Sequence, residues 1–202
     1  MRILTTATTN WLNNGCCDVK YLDLWRNAPL SYRQGQDNDS GWHIDHHKVF
    51  LLNDNNGRFF HKAADLLLRY QFYPDAILSH FGDFDLGDGR QMRVGDRIVQ
   101  RIHLARLFGR PLLDIIGLTE VTQIFSEPRR RGFAYVTAAP HVEQGEWSVQ
   151  VAWDNNGDLT LTLNATSRPA PQEPAISRPI MRAFQEKAHQ AGITHFKELL
   201  LA

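Results

Sequence analysis

Cysteine is nearly missing from this chain: Cys16 and Cys17 are the two it has, and they are neighbours. Adjacent cysteines cannot readily meet disulfide geometry, so no disulfide framework holds the fold. Long apolar runs are missing as well. The opening MRILTTATTNWL has no apolar stretch of signal-peptide length, and nothing approaches the run of about 18 apolar residues that reads as a membrane helix. A soluble protein of a reducing compartment, most simply the cytoplasm, is the expectation, with no stable membrane insertion. Net charge is missing too, because 22 Lys plus Arg balance 22 Asp plus Glu. No global field draws the protein to nucleic acid, so a nucleic-acid partner is not expected. The basic run Arg129-Arg130-Arg131, between Pro128 and Gly132, reads as an exposed turn.

Several motifs are absent in the same way. FGDFDLGDG, residues 81–89, lacks the lysine and the preceding strand of a phosphate-cradling loop. There is no Gly-x-Ser-x-Gly elbow. No histidine, cysteine or carboxylate set has metal-ligand spacing, so neither a metal nor a cofactor is expected. His43 and His47 share a strand face two pleats apart, too far to share a metal without another strand, with His46 on the opposite face, and the three read as surface histidines.

What is present describes a globular chain. Its 202 residues, 43% hydrophobic and 22% charged, suffice for one real core. Residues 1–41 read as an N-terminal extension packed on or extending the domain, and 42–202 as a single domain. YLDLWRN (21–27) suits a helical turn or a short strand, and SYRQGQDNDSG (31–41) a loop. WHIDHHKVFLL (42–52) reads as the first strand. Phe59, Ala63, Leu66, Leu67 and Tyr70 then recur at helical spacing, with Asn55 or Asn56 as the expected N-cap. AILSHF (76–81) suggests a second short helix. Strands follow over 94–105, 112–125 and 132–139.

The strongest pattern comes next. Trp147, Val149, Val151 and Trp153 alternate with polar or small residues, as do Leu159, Leu161, Leu163 and Ala165 after the turn DNNGD. The Asn-Gly pair favours the primed turns that join antiparallel strands. Finally Ile180, Met181, Phe184, Ala188, Ile193, Phe196 and Leu200 form the apolar stripe of a long helix, with Gly192 expected to bend or interrupt it. The expected class is therefore α+β, a helix-grip arrangement. A curved antiparallel β-sheet wraps around a long C-terminal helix, with one or two short helices after the first strand. A membrane β-barrel is disfavoured by the helical segments and the small number of strands.

The stretch GFAYVTAAPHVEQGEW, residues 132–147, resembles the uncharacterised domain-of-unknown-function family nineteen-ninety. The matching residues are Gly132, Phe133, Ala134, Tyr135, Thr137, His141, Glu143, Gly145 and Glu146, with VGDRI (94–98) upstream and SRP (167–169) downstream. Gln185 on the terminal helix also fits. Val136, Pro140 and Val142 stand where that family has glycine, glycine and proline. The resemblance spans roughly 42–200. It implies a helix-grip fold akin to START-like and pollen-allergen proteins, a superfamily whose members commonly hold apolar molecules between sheet and helix.

His141, Glu143 and Glu146 crowd the loop before a strand. They suit a structural turn, ligand contact, or an acid/base set for catalysis. Tyr135 and Thr137 share a strand face with Phe133 and would offer polar groups in an apolar wall. Arg168 would meet Glu143 or Glu146 at the rim. The leading expectation is a non-catalytic domain whose partner is a small apolar or amphipathic molecule, contacted by Tyr135, Thr137, His141 and Arg168. The alternative is an enzyme using His141 with Glu143 or Glu146. Oligomeric state and ligand identity are not legible at this level.

Overall fold

The computed structural model describes residues 17–33, 35, 41–86, 90–107, 110–139, 141–174 and 178–202. Pro140, the end of the GDFDLGDG stretch, and residues 1–16 and 36–40 of the N-terminal extension lie outside them. The element order is α1 (Cys17–Leu24), β1 (His43–Asn53), α2 (Arg58–Leu68), β2 (Leu78–Gly82), β3 (Arg97–Leu107), β4 (Arg110–Glu127), β5 (Arg130–Ala138), β6 (Glu143–Trp153), β7 (Asp158–Pro169) and α3 (Arg178–Leu201). One short 3-10 turn covers Asp83–Asp85.

All seven strands form one antiparallel sheet in the order β1-β7-β6-β5-β4-β3-β2. Register slips in β1 near Phe50, in β3 near Ala105 and between β4 and β5 near Val121 bend the strands, and the sheet is curved. Its inner face carries the alternating residues read from the sequence. Val149, Val151, Leu159, Leu161 and Leu163 are buried there under Phe60, Ala63 and Leu67 of α2 and Phe196 and Leu200 of α3. The expected helix-grip class is what the chain adopts.

Local chemistry modifies several expectations. AILSHF is not a second helix: Pro74 turns the chain, and Leu78–Gly82 pairs with Ile98–Ile102 as an edge strand. A short apolar run does not by itself separate helix from strand, and here a free sheet edge decides. The N-cap of α2 is Gly57 rather than an asparagine. Asn56 Oδ1 instead accepts the Arg58 N–H at 3.1 Å, and buried Asp54 accepts that of Phe60 at 2.8 Å. The β6–β7 connection is longer than a two-residue primed turn, because Asp154 Oδ1 accepts the N–H groups of both Asn156 and Asp158. Arg130 and Arg131 belong to β5, so the basic run is not all turn. Arg129 lies 4.7 Å over the Trp153 ring, and Arg130 pairs with Glu127.

Helix α3 continues through Gly192 without a break. A methyl group at that position would stand 2.3 Å from the Phe72 ring. The glycine serves close packing and not a kink.

The outer face is covered near its centre. Leu22 of α1 packs with Val99, Leu118 and Ala138, flanked by Tyr21 and Trp25. Strands β5 and β6 pair from Arg130–Ala152 to Val136–Glu146, then part. There residues 29–31 pair with the freed end of β5: Ser31 N–H donates to Thr137 O and Ala139 N–H to Pro29 O, both at 2.9 Å.

Candidate functional site

The parting of β5 and β6 opens a gap between the sheet and the first half of α3. Strand alternation fixes what faces it. On β6, Glu143, Gly145 and Trp147 point inward; on β5, Tyr135 and Thr137; on β7, Ala165 and Ser167. Helix α3 roofs the space with Met181, Phe184, Gln185, Ala188 and His189, and Tyr73, Ile77 and Leu78 close one side. The cavity measures about 90 Å³.

His141 lies in this wall, 6% exposed, with its ring over Gly117 in the space a side chain there would occupy. Its Nδ1 is within 3.0 Å of the Glu143 N–H and 3.1 Å of the Glu143 carbonyl, so the ring closes its own loop. Burial pulls its pKa from 6.5 to about 4, and the imidazole is neutral at pH 7. Thr137 is occupied in the same manner: its hydroxyl accepts from the Gly145 N–H at 3.0 Å and from Ser31 at 2.8 Å, spanning the gap between the parted strands.

Glu143 differs from both. Its carboxyl lines the cavity, and burial raises its pKa from 4.5 to about 7, against the opposing pull of Arg182. Tyr135 is held protonated, pushed up to about 12 by burial. It belongs to a buried set with Gln100 and Tyr70, in which Gln100 Nε2 donates to the Tyr70 hydroxyl at 2.5 Å. Tyr70 is the one non-glycine with positive φ, 60°, among the described residues. That backbone strain follows the end of α2 and sets its ring against Phe133 and Tyr135.

Glu146 alternates with Gly145 and Trp147, so its side chain goes to the outer face beside Val136 and Tyr32. Arg168 is outside the cavity wall. Its guanidinium stacks 4.4 Å over Trp42 and donates to Gln144 at 3.2 Å. The structure thus brings Tyr135, Thr137, His141 and Glu143 to one cavity, which Glu146 also borders, and leaves Arg168 apart from it.

Sequence reasoning missed the polar latch beside the cavity. Asp45 of β1 is chelated by Arg182 of α3 through two bonds of 2.6 and 2.5 Å. That guanidinium holds the carboxyl below its ordinary pKa of 3.8. Arg182 also bonds Gln185 at 3.0 Å and Glu186 at 3.0 Å, and Gln185 donates to Ser167 at 2.8 Å. Buried His189, its pKa lowered to about 4 by burial, stacks edge-on against His47. The one available signal was the inward parity of Asp45 with His47. Trp147 Nε1 and His189 Nδ1 are buried without hydrogen-bond partners among the described residues.

A curved antiparallel sheet gripping a terminal helix over an internal cavity defines a helix-grip α+β domain. The chain belongs to the family described as Domain of unknown function (DUF1990), whose model matches residues 28–194. Among solved structures, a hypothetical protein of Helicobacter pylori is 9% identical with a TM-score of 0.54, over 83% of this chain and 93% of that one. A START-superfamily protein of Mycobacterium smegmatis is 10% identical with a TM-score of 0.47, over 80% and 97%. A major latex-like protein of Panax ginseng is 13% identical with a TM-score of 0.47, over 80% and 99%. At these identities the likeness concerns fold alone. No curated protein matches the chain. No described helix is long and apolar enough to cross a membrane.

Proposed function

We propose that the protein binds a small apolar or amphipathic molecule between the curved sheet and the first half of α3, and that binding rather than catalysis is its role. The supporting observation is a cavity of about 90 Å³ whose aromatic and aliphatic wall holds two buried polar atoms without a hydrogen bond among the described residues, Trp147 Nε1 and His189 Nδ1, the latter 3.9 Å from Asp45 Oδ2. Protein interiors are close-packed, and buried polar atoms are normally paired. Space and unsatisfied polarity at one place mark a surface built to meet another molecule. An apolar cavity of about 150 Å³ accommodates benzene, so a ring-sized occupant requires Phe184 or Met181 of the cavity wall to give way.

A catalytic role would rest on Glu143 with His141 Nε2, since His141 Nδ1 is committed to its own loop and the Glu146 side chain faces outward.

Native mass spectrometry of protein purified from its host tests the proposal. The expected result is a small adduct that disappears on denaturation and in Ala165→Phe, which fills the cavity, once that variant is shown to melt cooperatively. Absence of any adduct, before and after soaking with host lipid extract, would overturn the proposal, as would an adduct indifferent to the filled cavity.

A further inference from the structure

The charges around the cavity do not balance, and the imbalance has a sign. Asp45 is neutralised by the two-pronged grip of Arg182, and that same guanidinium is shared with Glu186. It is the cation nearest the roof, and it is spent. His141 and His189 are neutral at pH 7, and Arg168 lies over Trp42 outside the cavity wall. What remains is Glu143, whose carboxyl lines the cavity with no hydrogen bond or ion pair among the described residues. Near neutral pH the interior is therefore neutral or negative.

An anionic occupant would find no counter-charge there, a hydrocarbon would leave Glu143 unpaired, and a neutral polar one would meet it with a hydrogen bond but no charge. Around the carboxyl stand aromatic rings. Trp147 stacks on Tyr135 with centroids 5.1 Å apart, and Tyr73 lies 5.8 Å from Trp147. Aromatic walls attract a cation through their ring quadrupoles, most strongly where water is excluded.

Resting on the binding role proposed above, we infer that the occupant is a compact hydrophobic amine, held as its ammonium by Glu143 among the rings of Tyr73, Tyr135 and Trp147. The hydrocarbon body fills the space toward Ile102, Ala165 and Phe184. The groups facing Glu143 are Tyr73 before β2, Tyr135 of β5, His141 of its own loop, Asp45 of β1, and Arg182 and His189 of α3. The tyrosines and histidines stay uncharged near neutrality, and Asp45 and Arg182 cancel. Glu143 is then the group that titrates on binding. Its carboxyl must be ionised to pair, so amine affinity falls as pH drops below about 7, with uptake of the ammonium releasing a proton.

Four ring compounds of matched shape separate the possibilities by calorimetric titration: cyclohexylamine, cyclohexanol, methylcyclohexane and cyclohexanecarboxylate. Near neutral pH, cyclohexylamine binds roughly tenfold or more tightly than cyclohexanol, and the carboxylate weakest. Glu143→Gln abolishes the preference for cyclohexylamine over cyclohexanol, and cooperative thermal melting of the variant certifies its fold. Equal or tighter binding of cyclohexanol or the carboxylate overturns the inference while the binding role stands, and so does an amine affinity indifferent to Glu143→Gln. If none of the four binds, the inference falls, and the binding role is decided separately by the native mass spectrometry above.

Discussion

From Gly192 onward, α3 is fastened by hydrocarbon: Ile193, Phe196 and Leu200 are buried in the main core with Phe72 and the inner faces of β6 and β7. Before Gly192 the same helix adds discrete polar fastenings, Arg182 on Asp45 and Gln185 on Ser167, to a thinner apolar contact made by Met181 and Ala188. One continuous helix thus carries two kinds of attachment. Apolar burial is non-directional and loses energy smoothly with area, whereas an ion pair and a hydrogen bond hold only at one geometry. The half fixed by discrete polar contacts is the half that roofs the cavity, and opening it requires breaking few contacts.

The contrast is most severely tested at Phe196, which is fully buried. Phe196→Ala should cost about 3–5 kcal/mol in denaturant unfolding, by lost transfer energy and a residual cavity. Next in size is Asp45→Ala, which strands Arg182 beside the sheet. A loss of about 1–2 kcal/mol is expected, less than for a sealed pair because the guanidinium is partly exposed. Amide hydrogen exchange should quicken over residues 178–190 and stay unchanged over 193–201. Uniform quickening along the helix would erase the distinction between its halves.

His189→Leu is the smallest effect at neutral pH and the most informative one in acid. The folded pKa of His189 is lowered from 6.5 to about 4, so the stability tied to its neutral form is full above pH 6.5 and is lost as pH falls toward 4. The leucine variant should match the wild type within about 1 kcal/mol near pH 8, and exceed it increasingly as pH drops through 6. His141, shifted in the same direction, keeps part of the acid slope in both proteins. A constant difference across pH would show that His189 is not the group responsible.

How much of this was readable beforehand depended on whether the cause was local. The β6–β7 hairpin was legible because alternation records a buried face directly, and the observed register sets Trp147 opposite Ala165 and Val149 opposite Leu163. The long helix was legible from its stripe. The strand at Leu78–Gly82 was not, because its state is set by the partner β3. The candidate site divided in the same way. Parity placed Tyr135 and Thr137 on the inner face with Phe133, and the loop before β6 drew attention to His141 and Glu143. The latch escaped notice because Asp45 and Arg182 are 137 positions apart, and no local pattern joins them. The outward turn of Glu146 was implicit in the alternation through Trp147, but its place in a polar loop motif obscured it.

The small pairing of residues 29–31 with β5 carries a consequence for where this domain can be cut. Thr137 and Ala139 present their backbone groups to that segment after β6 has turned away. Remove the segment, as in a chain beginning at residue 42, and a stretch of central strand would face water with its donors and acceptors bare, next to the apolar surface of Leu118 and Ala138. Bare strand edges recruit further strands. Such a fragment should self-associate, so the stretch before β1 acts as a guard against polymerisation as much as a part of the fold.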